Sequence, residues 1–219
     1  MKKIALMLAA ATSFAAAEAH KGFSVGLNAG YATLDSKNTL KTNQQPLNYA
    51  YDQSGRGFLG GLNLGYFHAM GALNLGFQVQ GNLGTANGSA ANKSANDLNS
   101  WKIELKQKWE TNASVRLGAS MCGALPYVRV GASFSKFDAR ASAVVVGAAK
   151  TTSKTASGVL AGVGVDVPVN DKMTVGVDAR MTFYSAFDAK QVSTGGGIVY
   201  THNIKPATSV VSVGLKYFF

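Results

Sequence analysis

Large apolar residues recur at every second position along most of this chain. The last residues set the pattern: Val211, Val213, Leu215, Tyr217 and Phe219 alternate with Ser212, Gly214, Lys216 and Phe218. Side chains two apart lie on one face of an extended strand, so this segment is a strand with one greasy face. Phe23, Val25, Leu27, Ala29 and Tyr31 repeat it against Ser24, Gly26, Asn28 and Gly30. Further strands are marked by Phe58–Leu62–Leu64–Tyr66, Leu73–Leu75–Phe77–Val79, Val128–Val130–Ala132–Phe134, Val159–Val163–Val165–Val167 and Met173–Val175–Val177–Met181–Phe183. A longer one keeps Trp101, Ile103, Leu105, Trp109, Ala113, Val115, Leu117 and Met121 on one parity. Its other parity carries Lys102, Glu104, Lys106, Lys108, Glu110, Asn112, Ser114 and Arg116.

Eight such strands follow one another, joined by alternating long and short connections. The long ones, rich in Ser, Thr, Asn, Gly and Lys, fall near 35–55, 84–99, 138–156 and 187–207; the short ones are His68–Met70, Cys122–Ala124 and Asn170–Lys172. This describes an all-β, eight-stranded antiparallel up-and-down barrel, in which the first and last strands pair and leave no open edge.

A soluble barrel would hold the apolar face inside; a membrane barrel turns it outward to lipid. The opposite face here is Gly, Ser, Asn and Gln with a few charges, too sparse for a water-facing surface and suited to a narrow, packed lumen. Aromatics also sit at both ends of the apolar face: Phe23, Tyr66, Tyr217 and Phe219 toward the short turns, and Tyr31, Phe58, Trp109, Phe134 and Phe183 toward the long loops. Phe23 and Tyr31 are eight steps apart, a rise of roughly 20 Å for a tilted strand, close to the ~25 Å apolar band of such barrels. The expected fold is therefore a transmembrane barrel.

Composition agrees. Charged residues are 15% of the 219, with 25 glycines, 4 prolines and a single cysteine, against about 25% charge in soluble domains. One cysteine excludes an internal disulfide and a Cys-rich metal site. Residues 1–19 form a secretory signal: Lys2 and Lys3, an apolar Ala-rich run, and Ala17-Glu18-Ala19 as the cleavage site, with a cut after Ala17 as the alternative. Residues 20–219 are then one barrel domain.

With the signal peptide and the eight strands in place, the segments LPYVRVGAS (Leu125–Ser133) and VGLKYFF (Val213–Phe219) resemble those of the small opacity/OmpA-type outer-membrane barrels of Gram-negative bacteria. The resemblance implies residence in the outer membrane, contact with outer-membrane lipid and lipopolysaccharide, and delivery by the outer-membrane assembly machinery. It makes Tyr217 and Phe219 the assembly signal. Barrels of this kind serve as adhesins, surface antigens and structural proteins, and a few modify lipids. The expectation is a monomeric surface protein that acts through four extracellular loops, toward a host-surface or envelope ligand. A small pore and a lipid-modifying enzyme are the alternatives.

Candidate chemistry is thin. His202 lies in a long-loop segment with Asp188 and Ser193 near it in sequence, but the spacing is unremarkable and a solvated loop histidine is the plainer reading. No catalytic, cofactor or metal site is expected. Arg116, Arg129, Asp166, Asp178, Arg180 and Lys216 all fall on the lumen parity. Eight strands leave an interior just wide enough for side chains, so these are expected to form a structural ion-pair network rather than an ion pathway. Net charge is +10, with Lys2 and Lys3 lost with the signal. No basic run interleaved with aromatics points to nucleic acid. The fourth strand is expected to continue above the membrane from Trp109 to Trp101, paired with a neighbour; a break near Glu110-Thr111-Asn112 is the alternative.

Overall fold

The computed structural model describes residues 21–42, 49–84, 86–92, 101–143, 150–192 and 199–219. The signal segment, Ser193 and the tips of the long connections lie outside them.

The described chain is β throughout. Its strands are β1 (Gly22–Thr42), β2 (Tyr49–Met70), β3 (Leu73–Gly84), β4 (Asn87–Asn92), β5 (Trp101–Ala119), β6 (Leu125–Ala143), β7 (Lys150–Pro168), β8 (Met173–Tyr184), β9 (Phe187–Val192) and β10 (Val199–Phe218). β3 with β4, and β8 with β9, are two stretches of one rising strand each, so the wall is a closed eight-stranded antiparallel barrel. Closure comes from β1, which pairs with β2 on one side and with β10 on the other.

The short turns follow local chemistry. Asn170 Oδ1 accepts from the amides of Lys172 and Met173 at 3.0 and 2.8 Å, an Asx turn. Cys122 and Gly123 take positive φ of 50° and 79° between the bridged Met121 and Ala124. The opposite end differs from the expected spans. Segments read as long loops are largely strand: β1 and β2 stay paired up to Leu40 and Tyr49, and β6 and β7 up to Ala141 and Lys150. Polar side chains there face water rather than lipid, which weakens the alternating signal without changing the backbone.

Phe23, Leu27, Tyr31, Phe58, Leu62, Leu64, Tyr66, Phe134 and Phe183 are exposed on the outer wall, forming the lipid-facing band. Rings pair at both rims, Phe23 with Tyr66 at 4.9 Å and Tyr31 with Phe58 at 5.4 Å between centroids.

β5 is continuous from Trp101 to Ala119 and does not break at Glu110. Its faces, however, exchange. Against β6 the register slips between Gln107 and Trp109, with Lys108 as the extra residue of a bulge. Below it Glu110, Asn112, Ser114 and Arg116 point inward; above it Leu105 and Gln107 do, while Lys106 points out. The expectation that Leu105 shares the lipid-facing side of Trp109, with Lys106 and Lys108 inside, is thus corrected: one inserted residue rotates the strand by half its period. β8 and β9 repeat the device. Phe183 pairs with Ala207 and Phe187 with Ile204, so the rising strand carries one residue more than its partner. Phe187 thereby turns in against the buried core and Asp188 turns out.

Candidate functional site: the filled lumen and the extension above it

The interior is filled in two tiers. The lower tier lies at membrane height and is ionic. Arg116 Nη2 and Lys216 Nζ both reach Asp166 Oδ2 at 2.6 Å. Arg116 also donates to Gln78 Oε1 at 3.1 Å and lies 3.4 Å from the Tyr127 ring centroid. Asp178 accepts from Tyr127 Oη at 3.0 Å and faces Arg129 at 3.4 Å and Arg180 at 3.6 Å. Arg129 Nη2 donates to Asn112 Oδ1 and Ser114 Oγ, each at 2.9 Å. Arg180 Nη2 pairs with Glu110 Oε2 at 3.3 Å.

The strand parity brings these groups together from six strands, and glycine makes room for them. A Cβ at Gly176 would collide with Asp166 Oδ1, and one at Gly164 with the Tyr127 hydroxyl. Below, toward the periplasmic end, Phe67 and Phe218 are buried with their ring centroids 5.6 Å apart. The space left among Asn28, Asn63, Gln80, Asp166, Asp178 and Lys216 is about 30 Å³, enough for a water or two. Asn28 Oδ1, Asn63 Oδ1 and Asp166 Oδ1 find no protein partner, and such waters would serve them.

The upper tier is apolar and stands above the outer aromatic rim. Ala32, Leu34, Leu59, Ala86, Leu105, Phe137, Ala139, Ala156, Tyr184, Ile204 and Val210 form one buried cluster with Phe187 packed against it. Phe137 is fully buried, meets Tyr184 edge-on at 5.1 Å and stacks on Phe187 at 6.0 Å. A recess of about 580 Å³ lies on the β1, β2 and β10 side of this extension, lined by Asp35, Lys37, Asp52 and Lys205 with Phe183 and Tyr184.

All six lumen residues expected from the sequence, Arg116, Arg129, Asp166, Asp178, Arg180 and Lys216, meet in the lower tier. Glu110 and Tyr127 join them and escaped the sequence reading, Glu110 because it was weighed as a turn residue. Its parity with Asn112 and Arg116 was the available signal. His202 does not meet Asp188. It lies on the inner face of β10, buried, and burial pushes its imidazole down to about 4. Asp188 is outside and accepts from Asn203 at 2.8 Å. Tyr217 and Phe219 lie on the outer wall, their rings 5.2 Å apart. On the exposed surface Asp138 accepts from Lys108 at 2.7 Å and Ser153 at 2.6 Å, contacts that hold its carboxyl below the ordinary range. Among the described residues no group of His, Cys, Asp and Glu is placed to hold a metal ion.

A closed barrel with a lipid-facing band and a filled lumen is the architecture of an integral outer-membrane protein, and the sequence profile of the outer membrane protein beta-barrel domain matches residues 4–219. The chain belongs to that family. It is a protein of the outer membrane. Among solved structures it resembles the outer membrane protein OprG from Pseudomonas aeruginosa, at 13% identity and a TM-score of 0.59, over 92% of this chain and 99% of that one. It also resembles the outer membrane protease OmpT from Escherichia coli, at 10% identity and a TM-score of 0.54, over 90% and 96% of the two chains. These likenesses are of fold. A search of curated proteins finds no match to the chain.

Proposed function

We propose that this barrel is a non-conducting surface protein of the outer membrane, structural or adhesin-like, whose activity lies in the part that stands above the lipid. The observation that carries this reading is the filling of the lumen. Beneath the apolar tier lies an ionic tier whose opposed charges leave about 30 Å³. Paired charges satisfy one another inside the wall, the structural role open to a buried network. The extension stays paired well above the aromatic rim and holds the connections on a stiff base. Its recess mixes both charge signs with aromatic surface, a composition suited to a protein or glycan contact.

The reading is non-enzymatic, since His202 is enclosed in the extension and Asp188 faces away from it. Tyr217 and Phe219 act as the recognition end for the assembly machinery. The chain works as a monomer and uses no cofactor.

The test is surface tethering. Cells displaying the chain are compared with cells in which residues 43–48, 93–100, 144–149 and 193–198 are replaced by Gly-Ser turns, at equal amounts of folded barrel. Tethering to host-surface or envelope components should be lost with the replacement. Unchanged tethering, or a change in lipid A mass that depends on the chain, would count against the reading.

A further inference from the structure

We propose that the free edge of β7 above the membrane, residues 150–156, is a docking site for an extended acidic segment of a partner protein, which adds to the sheet as a further strand. This names a partner class for the surface role proposed above and rests on that reading. It is tested on the purified barrel, so its failure and a failure of surface tethering are separate results.

The first observation is that the wall parts above the rim. Ser185 makes the last link between the rising strand and β7, its amide and Oγ donating to Ser157 O at 2.7 and 3.0 Å. Beyond that link β9 pairs with β10 alone, and residues 150–156 of β7 pair with β6 alone. On the opposite side β2 and β4 last meet at Gly55 and Gly88. The extension is therefore two four-stranded leaves, β4–β5–β6–β7 and β9–β10–β1–β2.

The second is direction. Along an antiparallel strand, every second residue turns both its backbone groups to the same neighbour. Ser157 turns its carbonyl toward Ser185, and the register of β6 with β7 is unbroken. Thr155, Ser153 and Thr151 thus direct their N–H and C=O groups to the same side, where β9 does not pair with them. All three residues are exposed. Such a row is a template for another chain, and main-chain pairing to an open edge is one way extended peptides are bound.

The third is charge. Residues 150–156 contain Lys150 and Lys154 and no acid, and Lys136 lies opposite Thr155. Lys136 and Lys154 make no ion pair among the described residues. The acids nearby are engaged or opposed: Asp138 is held by Lys108 and Ser153, Asp188 accepts from Asn203, and Glu104 sits opposite Arg140. The other opening, between residues 49–54 and 89–92, holds a single charged residue, Asp52. Lysine on a free edge turns away basic strands and favours an acidic one.

The experiment uses the full mature barrel in detergent and two synthetic peptides of about eight residues, one alternating Thr with Glu and one alternating Thr with Lys. Amide exchange of the barrel is the readout. The Thr–Glu peptide should slow the amides of Thr151, Ser153 and Thr155 at least ~10-fold. It should leave unchanged those of Thr152 and Lys154, which face β6, and those of residues 49–54. T155P removes an edge donor without touching the β6 ladder and should weaken the peptide at least ~10-fold. K150Q/K154Q should weaken it at least ~3-fold, and K37Q/K106Q should stay within about twofold of the wild type. Heat-modifiable migration verifies that each variant is folded, and the lysine variants carry the test if T155P does not fold. No slowing at the three amides up to about 1 mM peptide, equal slowing by the Thr–Lys peptide, or undiminished binding to K150Q/K154Q or to folded T155P would overturn the proposal. Binding of the acidic peptide that leaves the three amides fast would overturn it too, by assigning the lysines to charge attraction without strand addition.

Discussion

Replacing Asp166 by Asn is the sharpest perturbation of the lower tier. The amide keeps the shape and one acceptor oxygen but removes the charge that Arg116 and Lys216 share at 2.6 Å each. Arg116 keeps Gln78 and the face of Tyr127. Lys216 keeps only weak contacts, 5.6 Å from the Tyr127 ring centre and 6.0 Å from that of Phe67. Removing one member of a buried pair costs about 3–5 kcal/mol. The remaining acceptor and water in the small cavity soften the loss, so a value near the lower limit, ~3 kcal/mol, is expected. At a urea slope of about 1–3 kcal/mol per molar, the unfolding midpoint of the barrel refolded into lipid vesicles falls by roughly 1–3 M. Asp138→Asn breaks the exposed pair with Lys108 and should cost only ~0–1 kcal/mol. Adding Lys216→Met to Asp166→Asn removes the orphaned cation and should restore at least half of the loss. A wild-type midpoint for Asp166→Asn, or a double variant no better than the single, would refute the shared-carboxylate account.

Phe137→Ala empties the centre of the upper tier and should cost about 3–5 kcal/mol, seen as faster amide exchange in 134–140 with the membrane strands still protected. Residues 104–107 of β5 lie between paired neighbours, so their amides should exchange slowly; fast exchange throughout would mean that the paired extension does not exist. His202, with its imidazole pushed down from 6.5 to about 4 by burial, stays neutral in the folded extension while the unfolded chain takes up a proton. Stability of the extension should therefore fall as pH drops from about 6.5 to about 4 and level off below, and a His202→Asn chain measured by exchange at both pH values should lack that slope. Deleting Phe219 should lower the yield of assembled, heat-modifiable barrel in cells; a normal yield would remove the terminal ring from the assembly signal.

The membrane part of this fold was legible because lipid outside and a packed polar lumen inside impose opposite chemistry on alternate residues. That contrast exposed Val211–Phe219, Phe23–Tyr31 and the lumen charges alike. Above the rim it reverses: water lies outside and an apolar cluster inside. Leu105 continues the parity of Trp109 along the chain, yet it faces Phe137 rather than lipid. An apolar residue does not record which apolar environment it enters, and the intervening bulge at Lys108 leaves no hydropathy mark. Leu34, Phe137 and Ile204 were hidden for a related reason, since their flanking Asp, Lys, Ser and Asn residues read as loop. Glu110 was missed because Glu-Thr-Asn suits a turn as well as it suits a lumen.

Single-channel recording across a planar bilayer, with the purified and refolded monomer, tests the central claim most directly. With the ionic tier paired, the apolar tier packed above it and Phe67 and Phe218 buried against each other below, the account predicts insertion without stable conductance steps. Steady open-channel steps from the wild-type monomer would contradict it.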